Sequence, residues 1–367
     1  MGKGEGAAAL SPPHIEAYLR TLHGAEVRVA SLAPLGQRTQ EGLKAYGYGR
    51  PLRVRYELAG ELRDVVIRTM SPDPFGHERR ADRAAVMIGS FDTFGGIPRH
   101  IRPIDIGAVD AAGGLRSMAH GELFLVTEFV EGELYAHDLH VRAPEGAPAP
   151  RDLARARILA EYLVELHAEG RPPGDHRRCL RDTIGSGEGI FGLCDSYPAD
   201  DPVATPERLC RLEQLAVGWR WRLRGAARRA RRTHGDFHPF NLLFRDGPRG
   251  GDLSVLDASR GTSGEPADDV ACMALNYLFF GLVARGRFDG AMRALWDTFW
   301  ASYLDATQDR ELLGMVPPYF AWRGLVVASP VWYPDVARSV RERLFTFIER
   351  LLEGAPFAPD RVDELLS

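Results

Sequence analysis

Hydrophobic and polar residues alternate in the first third of the chain and recur at helical spacing in the rest. Glu26–Leu32, Pro51–Leu58 and Leu62–Met70 are rich in Val, Leu, Ile and Arg with partial alternation, which predicts strands. The last two read as a hairpin turning at Ala59-Gly60. His77–Ser90 carries Ala81, Ala84, Ala85 and Ile88 at helical spacing. A second strand pair is expected at Ile101–Val109 and Leu123–Phe129, around the Gly-rich stretch Ala111–Gly121. After Gly132 the period changes. Arg151–His167 places Leu153, Ala156, Leu159, Ala160, Leu163 and Leu166 on one helical face. Asp175–Pro206 is rich in Gly, Pro and Asp and reads as irregular, and Pro206–Arg232 as one long helix. Two short strands, Leu242–Phe244 and Leu253–Leu256, flank a Gly-rich turn, and the chain beyond Pro266 reads as helices.

This pattern predicts a mobile tail over 1–13, a small sheet-rich part over 14–131 and a larger helical part over 132–367. Composition narrows the classes. With 46 basic and 50 acidic residues the formal net charge is -4, which argues against a globally basic nucleic-acid binder. The longest apolar run, Ala271–Ala284, contains Asn276, is short for a bilayer and reads as a core helix. No long apolar stretch precedes Pro12, so no secretory signal and no membrane partner are expected. Cys179, Cys194, Cys210 and Cys272 are isolated, which fits a reducing cytoplasm and gives no zinc pattern.

The residues that carry chemistry lie in His234-Gly235-Asp236-Phe237-His238-Pro239-Phe240-Asn241, with Asp257 following the apolar strand LSVLD. Phosphoryl transfer asks little of a protein: a carboxylate to orient or deprotonate the attacking hydroxyl, and hard oxygen ligands for Mg²⁺. Asp236 and Asn241 have the D-x-x-x-x-N spacing of a kinase catalytic loop, and Asp257 supplies a second oxygen ligand. An Asn–Asp pair suits Mg²⁺ better than zinc.

HGDFHPFNLLF followed by VLDASRGTSGEPADDVA resembles the aminoglycoside phosphotransferase and choline kinase-like family. The resemblance implies an α+β, two-lobed protein-kinase-like fold with a small β-rich N-lobe, a larger helical C-lobe and the active site between them. It implies ATP- and Mg²⁺-dependent phosphorylation of a hydroxyl on a small molecule. Asp236 would be the catalytic carboxylate, Asn241 and Asp257 the metal ligands, and Asp269 the residue that ties down the catalytic loop. Backbone groups of Glu128 and Val130 would meet the adenine, and Glu78, on the helix after the third strand, would orient the phosphate-binding cation.

One position departs from the family. The third strand carries Arg68 where a lysine is usual, and a guanidinium is not an equivalent point charge. Of the basic residues only Lys3 and Lys44 are lysines, and Lys44 lies in a segment with four glycines where a phosphate-covering loop belongs. Lys44 or Arg68 would therefore meet the phosphates. Loss of the strand lysine also leaves a nucleotide-binding regulatory protein as an alternative, and nucleotidyl transfer as another. Arg220–Arg232, dense in arginine, reads as a solvated helix face rather than an RNA-binding stripe. Gly187–Gly192 fits GxGxxG, but without a surrounding βαβ unit it does not predict dinucleotide binding. The acidic residues Asp182, Glu188, Asp195, Asp200 and Asp201 could line an aminoglycoside pocket or be ordinary surface charge.

Overall fold

The computed structural model describes residues 10–35, 51–73, 76–121, 123, 125–258, 260 and 263–367. The chain forms two compact units, Met1–Thr127 and Glu128–Ser367.

In the first unit α1 (Pro12–His23) precedes β1 (Val27–Pro34), β2 (Leu52–Leu58) and β3 (Glu61–Ile67). The helix starts inside the expected tail, with Pro12 at its first position, where the missing N–H costs nothing. The three strands form an antiparallel sheet in the order β1-β2-β3. Alternation in β2 sends Val54, Tyr56 and Leu58 inward with Ile15 and Leu19 of α1. Its outward Arg53 and Arg55 both pair with Asp64 of β3. The hairpin turns at Ala59 and Gly60, both at positive φ, as the twist of a tight antiparallel pair requires. Then come α2 (Arg80–Phe94), β4 (Gly107–Val109) and β5 (Leu115–Ser117). None of the described residues of the expected strand at Leu123–Phe129 is in a strand; β4 pairs instead with the nearer β5. Asp110 makes this short hairpin by accepting the amide protons of Ala112 and Gly114.

The second unit contains β6 (Glu133–Leu134), α3 (Tyr135–Arg142), α4 (Pro150–His167), α5 (Pro173–Gly185), α6 (Ile190–Ser196) and α7 (Pro206–Leu223). It continues with β7 (Leu242–Arg245), β8 (Asp252–Val255), α8 (Pro266–Arg285), α9 (Gly290–Thr307), α10 (Pro317–Ala328) and α11 (Arg338–Glu353). The stretch Asp175–Pro206 is therefore not irregular. Leu180, Ile184, Ile190 and Leu193 are buried and hold α5 and α6 against the core, which outweighs the turn-forming composition. The long helix expected to Arg232 ends at Leu223 and passes into a 3₁₀ turn, Arg224–Arg229. Helix α8 is long and apolar enough to cross a bilayer by length and composition, yet most of it is buried inside this unit. A helix apolar on every face belongs at the centre of a core.

The expected α+β class is what the structure has: a small sheet-bearing unit and a larger helical one. A further three-stranded sheet, β6-β7-β8, lies within the helical unit and carries the candidate site.

Candidate active site

The loop from His234 to Asn241 is fixed from both ends. Phe237 is fully buried and stacks on Tyr162 of α4, with ring centroids 5.6 Å apart. Below it, Asp269 of α8 accepts the amide protons of His234 at 2.7 Å and Gly235 at 2.8 Å. His167 Nε2 donates to the same carboxylate at 3.1 Å, and the other ring nitrogen meets Tyr303 Oη at 2.8 Å. Burial alone would raise the Asp269 carboxyl, but the bond from His167 and that from the His234 amide hold it below the usual carboxylate range. Asp269 thus takes the loop-anchoring place expected from the sequence. His234 closes the turn: its Nδ1 accepts from the Asp236 amide at 3.2 Å, so Nε2 carries the proton it donates to Leu256 O at 2.8 Å.

Asp236 lies against a buried arginine. Arg323 of α10 donates to Asp236 Oδ1 at 2.6 Å, to Gly235 O at 2.7 Å and to Asp268 Oδ1 at 2.8 Å. His238 Nδ1 accepts from the Phe240 amide, which leaves Nε2–H facing Asp236 Oδ2 at 3.5 Å. Burial pushes the Asp236 carboxyl up, but His238, Arg323 and Arg260 outweigh it and hold the group well below its ordinary value. Asp268 goes the other way: burial raises it, Arg323 offsets part of that, and the Asp269 charge adds to it. Trp322 completes the cluster. The Arg323 guanidinium lies 3.7 Å and that of Arg260 4.7 Å from its ring.

Asn241 and Asp257 are brought together by the sheet. Leu242 of β7 pairs with Val255 of β8, and the Leu256 amide donates to Asn241 O at 2.8 Å. Asp257 is the next residue. It is exposed and sits at φ 51°, a left-handed conformation that Asp tolerates better than most residues. Asn241 spends its amide nitrogen on Asp236 O at 3.1 Å, which leaves Oδ1 as its acceptor oxygen.

The sequence profile described as the phosphotransferase enzyme family (APH) matches residues 94–306, more than half of the chain. The chain belongs to this phosphotransferase family. The resemblance read from the catalytic loop is borne out, and so is the expectation of an enzyme of this class. In structure the chain is similar to a choline/ethanolamine kinase family protein from Mesorhizobium loti, at 17% identity and a TM-score of 0.39, with 92% of each chain covered. It is also similar to an ethanolamine kinase from Plasmodium vivax, at 15% identity and a TM-score of 0.36, covering 92% of this chain and 81% of the other. An aminoglycoside phosphotransferase from Streptomyces rimosus is 18% identical with a TM-score of 0.33, covering 86% and 99%. No curated protein sequence matches.

The matched span of the phosphotransferase holds Asp236, Asn241, Asp257, Asp269, Glu128 and Val130. Lys44, Arg68 and Glu78 precede it, and Arg323 follows it. Lys44 and its glycine-rich segment lie outside the described residues. Arg68 is exposed, one residue past the end of β3. Glu78 is not on the helix as expected. Asp82 accepts the Arg79 amide proton at 2.6 Å and starts the helix there, so Glu78 stands two residues ahead of its first turn. Glu128 and Val130 are exposed and in no regular element.

Several other motifs resolve into packing. Gly192 cannot carry a Cβ, which would stand 1.9 Å from Gly187 O, so GxGxxG here is a tight turn opening α6. Arg229 is buried and bridges Glu265 at 2.8 Å and Asp309 at 2.7 Å, so the arginine-rich segment is partly core rather than wholly a solvated face. Asp201 bonds Arg341 and caps Val203 and Ala204, and Asp182 bonds Arg178 and Arg181. Those two carboxylates are neutralised within the fold.

Proposed function

We propose that the enzyme transfers the γ-phosphoryl group of ATP, with Mg²⁺, to a hydroxyl of a small molecule. The observation that carries this reading is the geometry of one loop: Asp236 and Asn241 five residues apart, joined by the 3.1 Å hydrogen bond from the Asn241 side-chain amide to Asp236 O, with Asp257 set beside Asn241 by the β7–β8 pairing. Bound Mg²⁺ would offset phosphate charge and hold the phosphates in line. The donor set fits that ion. Mg²⁺ prefers one or two protein oxygens completed by phosphate and water, and Asn241 Oδ1 and the Asp257 carboxylate supply them.

In this reading Asp236 accepts the hydrogen bond of the acceptor hydroxyl and aims its oxygen at phosphorus. Its carboxyl is held low, so it orients more than it deprotonates; an efficient general base has a pKa near the working pH. Positioning and charge then supply most of the acceleration. Family resemblance gives Glu128 and Val130 to the adenine, Glu78 to the orientation of a cation, and Lys44 or Arg68 to the phosphates. The free cysteines and the mostly buried α8 accord with a cytoplasmic enzyme. The test is ATP turnover by the full chain across amino alcohols, sugars, nucleosides and aminoglycosides, with the nucleotide product identified. ADP together with a phosphorylated acceptor is expected. Pyrophosphate would instead favour nucleotidyl transfer, and nucleotide binding without turnover a regulatory protein.

A further inference from the structure

An arginine inside a wholly apolar helix face needs a reason, because a buried charge is costly unless paired and fully hydrogen-bonded. Arg323 stands in the α10 sequence PPYFAWRGLVVA and is buried. Its planar fork is divided among three acceptors: Asp236 Oδ1, the Gly235 carbonyl and Asp268 Oδ1, all within 2.8 Å. Trp322 packs its ring against the guanidinium at 3.7 Å, and the Trp322 indole is itself fixed by donating to Glu188 O at 2.7 Å. Arg323 is therefore held from several sides before any substrate arrives.

We infer that Arg323 is a positioning residue for phosphoryl transfer: it locks the rotamer of Asp236 by holding Oδ1, and leaves Oδ2 as the oxygen that orients the acceptor hydroxyl. The inference rests on the catalytic reading of Asp236 given above. Asp268 has a supporting part. It is a second buried carboxylate on the same guanidinium, and it keeps the fork from following Asp236 outward. A lysine could not do this, since an ammonium lacks the planar two-sided geometry. Around Asp236 stand Arg323 from α10, Cys272 from α8, His234 and His238 from its own loop and Arg260 beyond β8, with Asp268 of α8 on the far side of the Arg323 guanidinium. Of these, Arg323 donates the 2.6 Å hydrogen bond to Oδ1.

The test uses the full chain with Arg323→Met/Asp268→Asn, which removes the buried cation together with the more deeply buried of its two carboxylate partners and leaves Asp236 with His238 and Arg260 as its neighbouring cations. Turnover of ATP is followed against pH, and melting temperature is measured alongside. The expected result is a near-wild-type melting temperature, kcat lower by about 10²-fold, and an acidic limb of the rate profile displaced upward by ~1–3 pH units, the usual effect of one close cation on a carboxyl. Arg323→Lys should recover the position of the acidic limb but only part of kcat. If the role were only to neutralise Asp268, the double variant would show wild-type kcat and an unmoved limb, and the inference would be overturned. A readout without turnover separates this from the functional reading. Asp236→Asn should lower the melting temperature of the wild-type chain and leave that of the double variant nearly unchanged. Equal lowering in both backgrounds overturns the inference, whether or not the protein turns over ATP. Should the double variant not fold, Arg323→Lys carries the same decision: reduced kcat with an unmoved acidic limb is expected, and wild-type kcat contradicts.

Discussion

Asp269 Oδ1 accepts the amide proton of Gly235 at 2.8 Å across thirty-four residues of chain. That bond, with its twin to His234, makes the N-terminus of α8 the foundation of the His234–Asn241 loop. Gly235 is at φ 80°, so the turn that presents both amides to one carboxylate depends on glycine. Replacing Asp269 by alanine orphans two buried amides and His167, and should cost about 3 kcal/mol of stability. The sign with pH follows. The carboxyl is held below its unfolded value, so its contribution is present above pH ~4 and is lost as pH falls through the folded value. Acid unfolding should therefore start at higher pH in wild type than the remaining stability of Asp269→Asn would suggest. Denaturation midpoints of both proteins across acidic pH measure the difference; parallel curves would show that the fold does not hold the Asp269 carboxyl below its unfolded value.

Asp257 can be separated from its backbone. Its left-handed conformation would be strained by about 1 kcal/mol in an ordinary residue, and Asn tolerates it as Asp does. Asp257→Asn should thus leave the melting temperature unchanged while removing the charge. Calorimetric titration with ATP, with and without Mg²⁺, is expected to show the Mg²⁺-dependent affinity reduced and the metal-free affinity retained. Equal weakening of both would make Asp257 structural.

The phosphate cation is decided by two substitutions. Lys44→Ala is expected to weaken ATP binding more than tenfold, about 1.4 kcal/mol, because a compact ammonium on a flexible stem can follow phosphate where a planar guanidinium fits less well. Arg68 is exposed beyond β3, and Arg68→Ala should cost less. Binding lost in the Arg68 variant and kept in the Lys44 variant would reverse the assignment.

The loop and the placing of Asp257 next to Asn241 were legible because the spacing is local. The spacing of Asp236, Asn241 and Asp257 is set within one turn and one strand pair, so sequence distance translates directly into position. The hairpin at Ala59-Gly60 and the burial of α8 were legible for the same reason. Arg323 was not, because 87 residues separate it from Asp236 and no period links them. A usable signal existed all the same: one charged residue in an otherwise apolar helix asks for a buried partner. Helices α5 and α6 were hidden by Pro and Gly, which here start and bound helices rather than break them. Leu123–Phe129 looked like a strand by composition alone. Val126 and Phe129 are 80% and 89% exposed there, so no inward face backs the pattern.

If Asp236 makes this loop a phosphotransferase site, ADP formation by wild type and by Asp236→Asn, with the same acceptor and Mg²⁺-ATP, must differ. The substitution preserves the size of the side chain and an oxygen for Arg323 to bond, and with the assay run well below the lowered melting temperature, loss of activity reports the carboxylate rather than the fold. The account predicts turnover lower by ~10²–10⁴-fold with nucleotide affinity little changed. Wild-type turnover in the Asp236→Asn enzyme would contradict it.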